Sequence, residues 1–141
     1  MLSVLIPVYN YDTRELVEDI HEQAVNVCSN FEIVVVDDAS DEEFRRNNRE
    51  LKQLPHVRYY EEKINLGRSK IRNKLAQIAT FDNLLYLDCD SGIYNPEFIK
   101  NYFEFIGKAP VIYGGRLYSK NNHISTPYKL HWLYGIKREQ S

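Results

Sequence analysis

Apolar and polar positions alternate along this chain in blocks that read as strand, helix, strand, helix. Leu2 to Val8 is a near-continuous apolar run, the pattern of a strand covered on both faces. Asp12-Thr13-Arg14-Glu15 has the form of a capping box. Leu16, Val17, Ile20, Ala24, Val27 and Cys28 then recur at helical spacing to about Ser29. Phe31 to Val36 predicts a second buried strand, closed by Asp37-Asp38. Ser40 with Glu43 reads as another capping box, opening a short charged helix to about Gln53. Val57 to Glu61 predicts a third strand, Asn65-Leu66-Gly67 a turn, Arg68 to Ala79 a helix, and Asn83 to Leu87 a fourth strand. Pro96 suits the first turn of a helix running to about Ile106, with Gly107 as its stop. Val111 to Tyr113 predicts a short fifth strand before Gly114-Gly115.

This alternation predicts an α/β fold, a mainly parallel, doubly wound sheet with helices on both faces, of Rossmann-like nucleotide-binding type. Ligands of such sheets bind outside the carboxyl ends of the strands. Those ends here carry Tyr9-Asn10, Asp37-Asp38, Glu61-Glu62 and Asp88-Cys89-Asp90. The pattern fades after Gly115, which divides the chain into a domain over 1–115 and the start of a further region over 116–141.

Composition narrows the picture. The formal net charge over 141 residues is -2 and no long basic run occurs, so nothing suggests a nucleic-acid surface. The cysteines, Cys28 and Cys89, fit neither a metal spacing nor a disulfide framework, which points to a reducing, cytoplasmic setting. The apolar start lacks a basic segment and Pro7 interrupts it, so it reads as a strand rather than a signal peptide. No stretch approaches the ~20 apolar residues of a membrane span.

Each strand end offers chemistry and a plainer alternative. Asp88 and Asp90, at i and i+2 after a strand, can approach one divalent cation, Mg or Mn by their hard oxygen donors; they equally suit a solvated turn. In VVVDDAS, one aspartate can face a ligand, or it can cap the Ser40 helix or the turn before it. In IPVYN, Pro7 fits where a strand leaves its sheet, and Tyr9 offers a ring face to a flat group or to the core. In NLGRSKIRN, Arg68 and Arg72 share a helix face beside a helix N-terminus and can neutralise phosphate, or pair with Glu61 and Glu62. His21, His56, His123 and His131 show no ligand spacing and read as structural or solvated.

In that order, IPVYN, VVVDDAS, NLGRSKIRN and YLDCDSGIYNPEF resemble the N-terminal, donor-binding part of a family 2 glycosyltransferase over roughly Leu2 to Tyr113. The resemblance implies a glycosyltransferase A-type fold. It implies metal-assisted transfer of a sugar from a nucleotide-sugar donor, usually a UDP-sugar, to an acceptor hydroxyl in polysaccharide or glycoconjugate synthesis. Carried over by position, Pro7 and Tyr9 line the nucleobase pocket and Asp38 accepts from the base ring N–H. Arg68 or Arg72 lies near the base or diphosphate. Asp88 faces the ribose and Asp90 the metal, with Asp88 a second candidate ligand; Ser91 stands where some members carry a third acid. Cys89 is expected to point into the core. Implied partners are a nucleotide-sugar donor and a glycan or lipid-linked acceptor, with peripheral association of the full-length protein at the inner membrane face. The family's catalytic base lies well downstream. Glu139 is the only acid after Gly115, so the base is expected beyond Ser141 and this chain is expected to hold the donor half. Rival readings of the same acids are a phosphoaspartate-type phosphotransferase, a receiver domain, and a nucleotide-binding module without catalysis.

Overall fold

The computed structural model describes residues 1–27, 29–115 and 126–139. Cys28 and His123 lie outside the described residues. The chain forms two units, Met1–Ile106 and Gly107–Ser141.

The first unit carries β1 (Leu2–Val8), α1 (Arg14–Val27), β2 (Phe31–Asp37), α2 (Glu42–Asn48) continued by a 3-10 turn over Arg49–Gln53, β3 (Val57–Glu61), α3 (Arg68–Ile78), β4 (Leu84–Tyr86) and α4 (Phe98–Phe105). The strands pair in parallel, in the order β3-β2-β1-β4. The first crossovers step outward from β1 to β3; the last, through α3, returns across β1 to place β4 on its other side. The order therefore reverses between β1 and β4, which opens a crevice at their carboxyl ends.

Strict side-chain alternation feeds two cores. Val4, Ile6 and Val8 of β1 with Ile33 and Val35 of β2 meet Leu16, Val17, Ile20 and Ala24 of α1 and Ile99 of α4. The residues between them, Leu5, Val34 and Val36, meet Ile71 and Leu75 of α3 on the opposite face. Helices on both faces explain why β1 and β2 read as continuous apolar runs rather than as alternating ones. Each fully buried aliphatic side chain contributes about 1.5–3 kcal/mol.

Pro7 sits inside the central strand without costing a ladder bond. In β1, Ser3 donates its N–H to the Asn83 carbonyl, and the Leu5 carbonyl accepts from Leu87 N–H, so these alternate residues serve β4. Pro7 is next in that series, and β4 has ended at Tyr86. Its missing N–H faces a place where no partner strand runs.

Three expectations change. Ser40 and Glu43 form no capping box: Asp41, not Ser40, is the N-cap of α2 and makes no side-chain cap bond, and the Ser40 hydroxyl instead accepts the N–H of Asn10. The charged helix ends at Asn48 and tightens into a 3-10 turn. Asn48 is fully buried there, accepting the Thr13 N–H and donating to the Tyr11 carbonyl. Val111 to Tyr113 is not a strand. That apolar run is short, lies between Pro110 and Gly114-Gly115, pairs with none of the described strands, and leaves Val111 and Tyr113 exposed.

In the second unit, 107–115 has no regular structure, and α5 (Thr126–Tyr134) passes into a π-helical turn over Gly135–Glu139.

Candidate functional site

The crevice at the switch point is a cleft of about 540 Å3. Pro7, Tyr9, Asp38, Arg68, Arg72, Asp88 and Asp90, the residues singled out in the sequence, all line it. They arrive from the ends of β1, β2 and β4 and from the first turns of α3.

Asp38 is buried, and both its carboxylate oxygens are engaged. Oδ1 accepts the Leu66 N–H at 2.7 Å and Oδ2 the Gly67 N–H at 2.9 Å. Its backbone carbonyl accepts from Asn65 Nδ2 at 3.1 Å, and its own N–H goes to the Val8 carbonyl at 2.8 Å. Asp38 thus fixes the turn that launches α3, at Gly67, whose φ of +82° suits glycine. Its neighbour Asp37 points away from the cleft and accepts the Ser40 N–H at 2.7 Å. Adjacent side chains after a strand diverge, and only Asp38 of the pair lines the cleft.

The two arginines share one carboxylate. Arg72 donates through Nη2 to Asp88 Oδ1, and Arg68 stands with Nη2 3.9 Å from Asp88 Oδ2. Neither pairs with Glu61 or Glu62, which hold Arg49 and Lys74 instead. Tyr86 steadies Arg72: its hydroxyl donates to the Arg72 carbonyl at 2.8 Å, and the guanidinium lies over its ring at 5.9 Å. Arg68 is mostly exposed at 78%.

Asp88 and Asp90 have different surroundings. Asp88 is half-buried with its cations, whereas the Asp90 carboxylate is exposed and forms no ion pair or side-chain hydrogen bond with the described residues. β4 stops at Tyr86, and Ser91 N–H bonds to the Asp88 carbonyl, so the acids stand in a turn rather than on a strand face. Cys89 between them is half-buried. It packs against the α1-side core as expected, yet also lines the cleft. Burial pushes its thiol up, and the charges of Asp88 and Asp90 add to that.

Sequence reasoning missed Tyr11, Asn65 and Ile71 as lining residues. Asn65 and Ile71 fall inside NLGRSKIRN and could have been read from it; Tyr11 carries no such signal. His21 and His56 flank the Phe31 ring near the start of β2, away from the cleft, and His21 Nε2 lies 2.9 Å from the Pro55 carbonyl oxygen. Among the described residues no group of three or more His, Cys, Asp or Glu could by itself hold a metal ion.

The family described as glycosyl transferase family 2 matches residues 3–140. This chain belongs to glycosyl transferase family 2. It is 29% identical over 121 residues to an uncharacterized glycosyltransferase of Rickettsia felis, covering 86% of this chain and 20% of that protein. It is 32% identical over 114 residues to one of Haemophilus influenzae, covering 79% and 36%. Among solved structures it is similar to S. aureus TarS residues 1–349 in complex with UDP-GlcNAc, with TM-score 0.65, 28% identity and coverage of 76% and 31%. The fold also matches the mannosyltransferase PcManGT from Pyrobaculum calidifontis, with TM-score 0.63, 22% identity and coverage of 75% and 32%. The chain spans a fifth to just over a third of these proteins. Family membership and the glycosyltransferase A-type fold displace the phosphoaspartate and receiver readings. The end of β3 agrees, since it offers Glu61, closed by Arg49, rather than a free aspartate.

Proposed function

We propose that the cleft binds the nucleoside diphosphate of a sugar donor, with UDP as its nucleotide, and that this chain supplies the donor half of a glycosyltransferase. The observation that carries the reading is the convergence of Pro7, Tyr9, Asp38, Arg68, Arg72, Asp88 and Asp90 on one cleft at the sheet's switch point. The likeness to TarS in complex with UDP-GlcNAc supports the choice of nucleotide.

Tyr9 is 55% exposed beside Pro7 and would lay its ring along the base. Asp38 spends one lone pair per oxygen on the α3 turn; a carboxylate has about four such sites, so it can still accept a base N–H. Asp88, oriented by Arg72, would accept from ribose hydroxyls, and exposed Arg68 would reach a phosphate. Donor chemistry at Asp90 fits a divalent cation. One exposed, unengaged carboxylate is what Mg or Mn uses when phosphates and waters complete its shell. Such a cation would neutralise charge on the diphosphate leaving group. The acids of the cleft are thereby assigned to the donor, which supports placing the acceptor-side base elsewhere in the full-length protein. The reading extends to a glycan or lipid-linked acceptor and to peripheral work at the inner membrane face; no helix of the described residues is long and apolar enough to cross a membrane.

Titrating UDP by calorimetry, with and without manganese, tests this in wild type and Asp90→Ala. Expected is manganese-strengthened UDP binding in wild type that loses its manganese dependence in the variant. Absence of UDP binding with manganese present, or beryllofluoride binding in its place, would overturn it.

A further inference from the structure

The ends of β1 and β2 are tied together by a set of bonds that the roles above leave unused. Asn10 directly follows Tyr9 and has φ +48°; Ala39 directly follows Asp38 and has φ +64°. Non-glycine residues seldom occupy this region, asparagine most readily, and they persist there when their surroundings over-determine them. The surroundings here do so. Asn10 donates its N–H to Ser40 Oγ at 2.8 Å, and Asp41 donates its N–H to Asn10 Oδ1 at 2.8 Å. Asn10 Nδ2 reaches Asp41 Oδ2 at 3.3 Å. Ser40 is held in turn by its N–H to Asp37 Oδ1 at 2.7 Å, and Asp37 is fully buried. Each cleft residue thus precedes a left-handed residue whose loop is bonded to the other's loop.

We propose that Asn10 and Ser40 are positioning residues that clamp the β1 and β2 ends together, so that Tyr9 and Asp38 form a preset slot for the flat base before any ligand arrives. This rests on the nucleotide reading above. The clamp touches the base side of the cleft and leaves the phosphate side, Arg68, Arg72 and Asp90, to α3 and the turn after β4. Rigidity of this kind raises affinity by removing the ordering cost from the binding step.

The clamp predicts a split between base and phosphate. Asn10→Gly keeps the positive φ free of strain and removes the side-chain bonds; Ser40→Ala removes the acceptor for the Asn10 N–H. UDP and inorganic pyrophosphate are each titrated, with manganese, into wild type and both variants of the 141-residue chain. Expected is a roughly tenfold rise in the UDP Kd of each variant, the effect of about one lost hydrogen bond. The pyrophosphate Kd should stay at the wild-type value. UDP binding equal to wild type in both variants would overturn the clamp. So would a parallel loss of UDP and pyrophosphate, which marks general loosening. Failure of wild type itself to bind UDP would instead overturn the nucleotide reading, and the clamp's role with it.

Discussion

Asp38→Asn probes a carboxylate that has a structural task and a proposed recognition task at once. In the folded chain its two oxygens accept the N–H groups of Leu66 and Gly67 at 2.7 and 2.9 Å. An asparagine keeps one acceptor and turns an NH2 toward the other N–H, so one charge-assisted bond is lost and one donor loses its partner. A hydrogen bond to a charged group is worth about 1.5–3 kcal/mol, which sets the expected destabilisation at about 2 kcal/mol. With a urea m-value of ~2 kcal/mol/M, the midpoint falls by about 1 M. UDP affinity should fall further than stability alone explains, because the amide can offer a second donor where the base N–H needs an acceptor. The same 1.5–3 kcal/mol, at 1.4 kcal/mol per decade, corresponds to about 10- to 100-fold in Kd. Urea unfolding followed by far-UV circular dichroism reads the first effect; calorimetry under native conditions reads the second. An unchanged urea midpoint would refute the claim that Asp38 holds the α3 turn. A lowered midpoint with wild-type UDP affinity would leave the turn intact as an explanation and refute the base contact.

Two further outcomes concern acids far from the cleft and the thiol at its wall. Burial alone would raise the Glu32 carboxyl, but bonds from Ser3 and Thr80 and the Arg58 charge hold it below 4.5; the Arg49 guanidinium likewise holds Glu61 low. Groups lowered on folding stabilise above their unfolded pKa and lose that contribution as pH falls through the folded value, so the urea midpoint should fall as pH drops below about 4.5. Glu32→Gln should cost about 1.5–3 kcal/mol at pH 7, flatten that acid slope and leave UDP affinity unchanged, Glu32 lying at the far end of β2; an unaltered slope would contradict it. In a Cys28→Ser background, the raised Cys89 thiol should alkylate more slowly than free cysteine at pH 7.5, and UDP should slow it again because Cys89 lines the cleft. Protection by UDP that is absent while UDP binds would place the ligand elsewhere.

The part of the fold that can be read from the sequence is the part that local pattern enforces. A strand covered on both faces is largely apolar, so β1 and β2 are visible to within a residue, and the strand ends come with them. Pro7 is informative for the same reason, since a missing N–H is tolerated only where a neighbour has stopped. Partners distant in sequence are not readable. Ser40 has the spacing of a helix cap, yet its hydroxyl serves Asn10, which lies 30 residues earlier and reaches it only through the fold. In VVVDDAS an aspartate reads as a ligand group or as a cap of its own helix or turn, but nothing there reveals that the N–H groups of Leu66 and Gly67 will converge on Asp38. The run Val111 to Tyr113 shows the opposite error: β-propensity without a neighbouring strand makes no strand.

The paired acids of YLDCDSG sharpen the point. On a strand, positions i and i+2 face the same way, so spacing alone allows Asp88 and Asp90 one shared cation, while the family resemblance implies separate roles for them. β4 ends at Tyr86, two residues too early for that geometry, and the chain turns between them. Asp88 therefore meets Arg72 across the cleft while Asp90 remains in solvent with no cation of the described residues beside it. Equal spacing has produced unequal electrostatics. A carboxylate already neutralised by a guanidinium gains little from a divalent ion and is better used as a fixed acceptor for hydroxyls. A solvated carboxylate, beside a diphosphate that brings its own oxygens, gains most from one. The end of one short strand thus supports the division of labour proposed for the two aspartates.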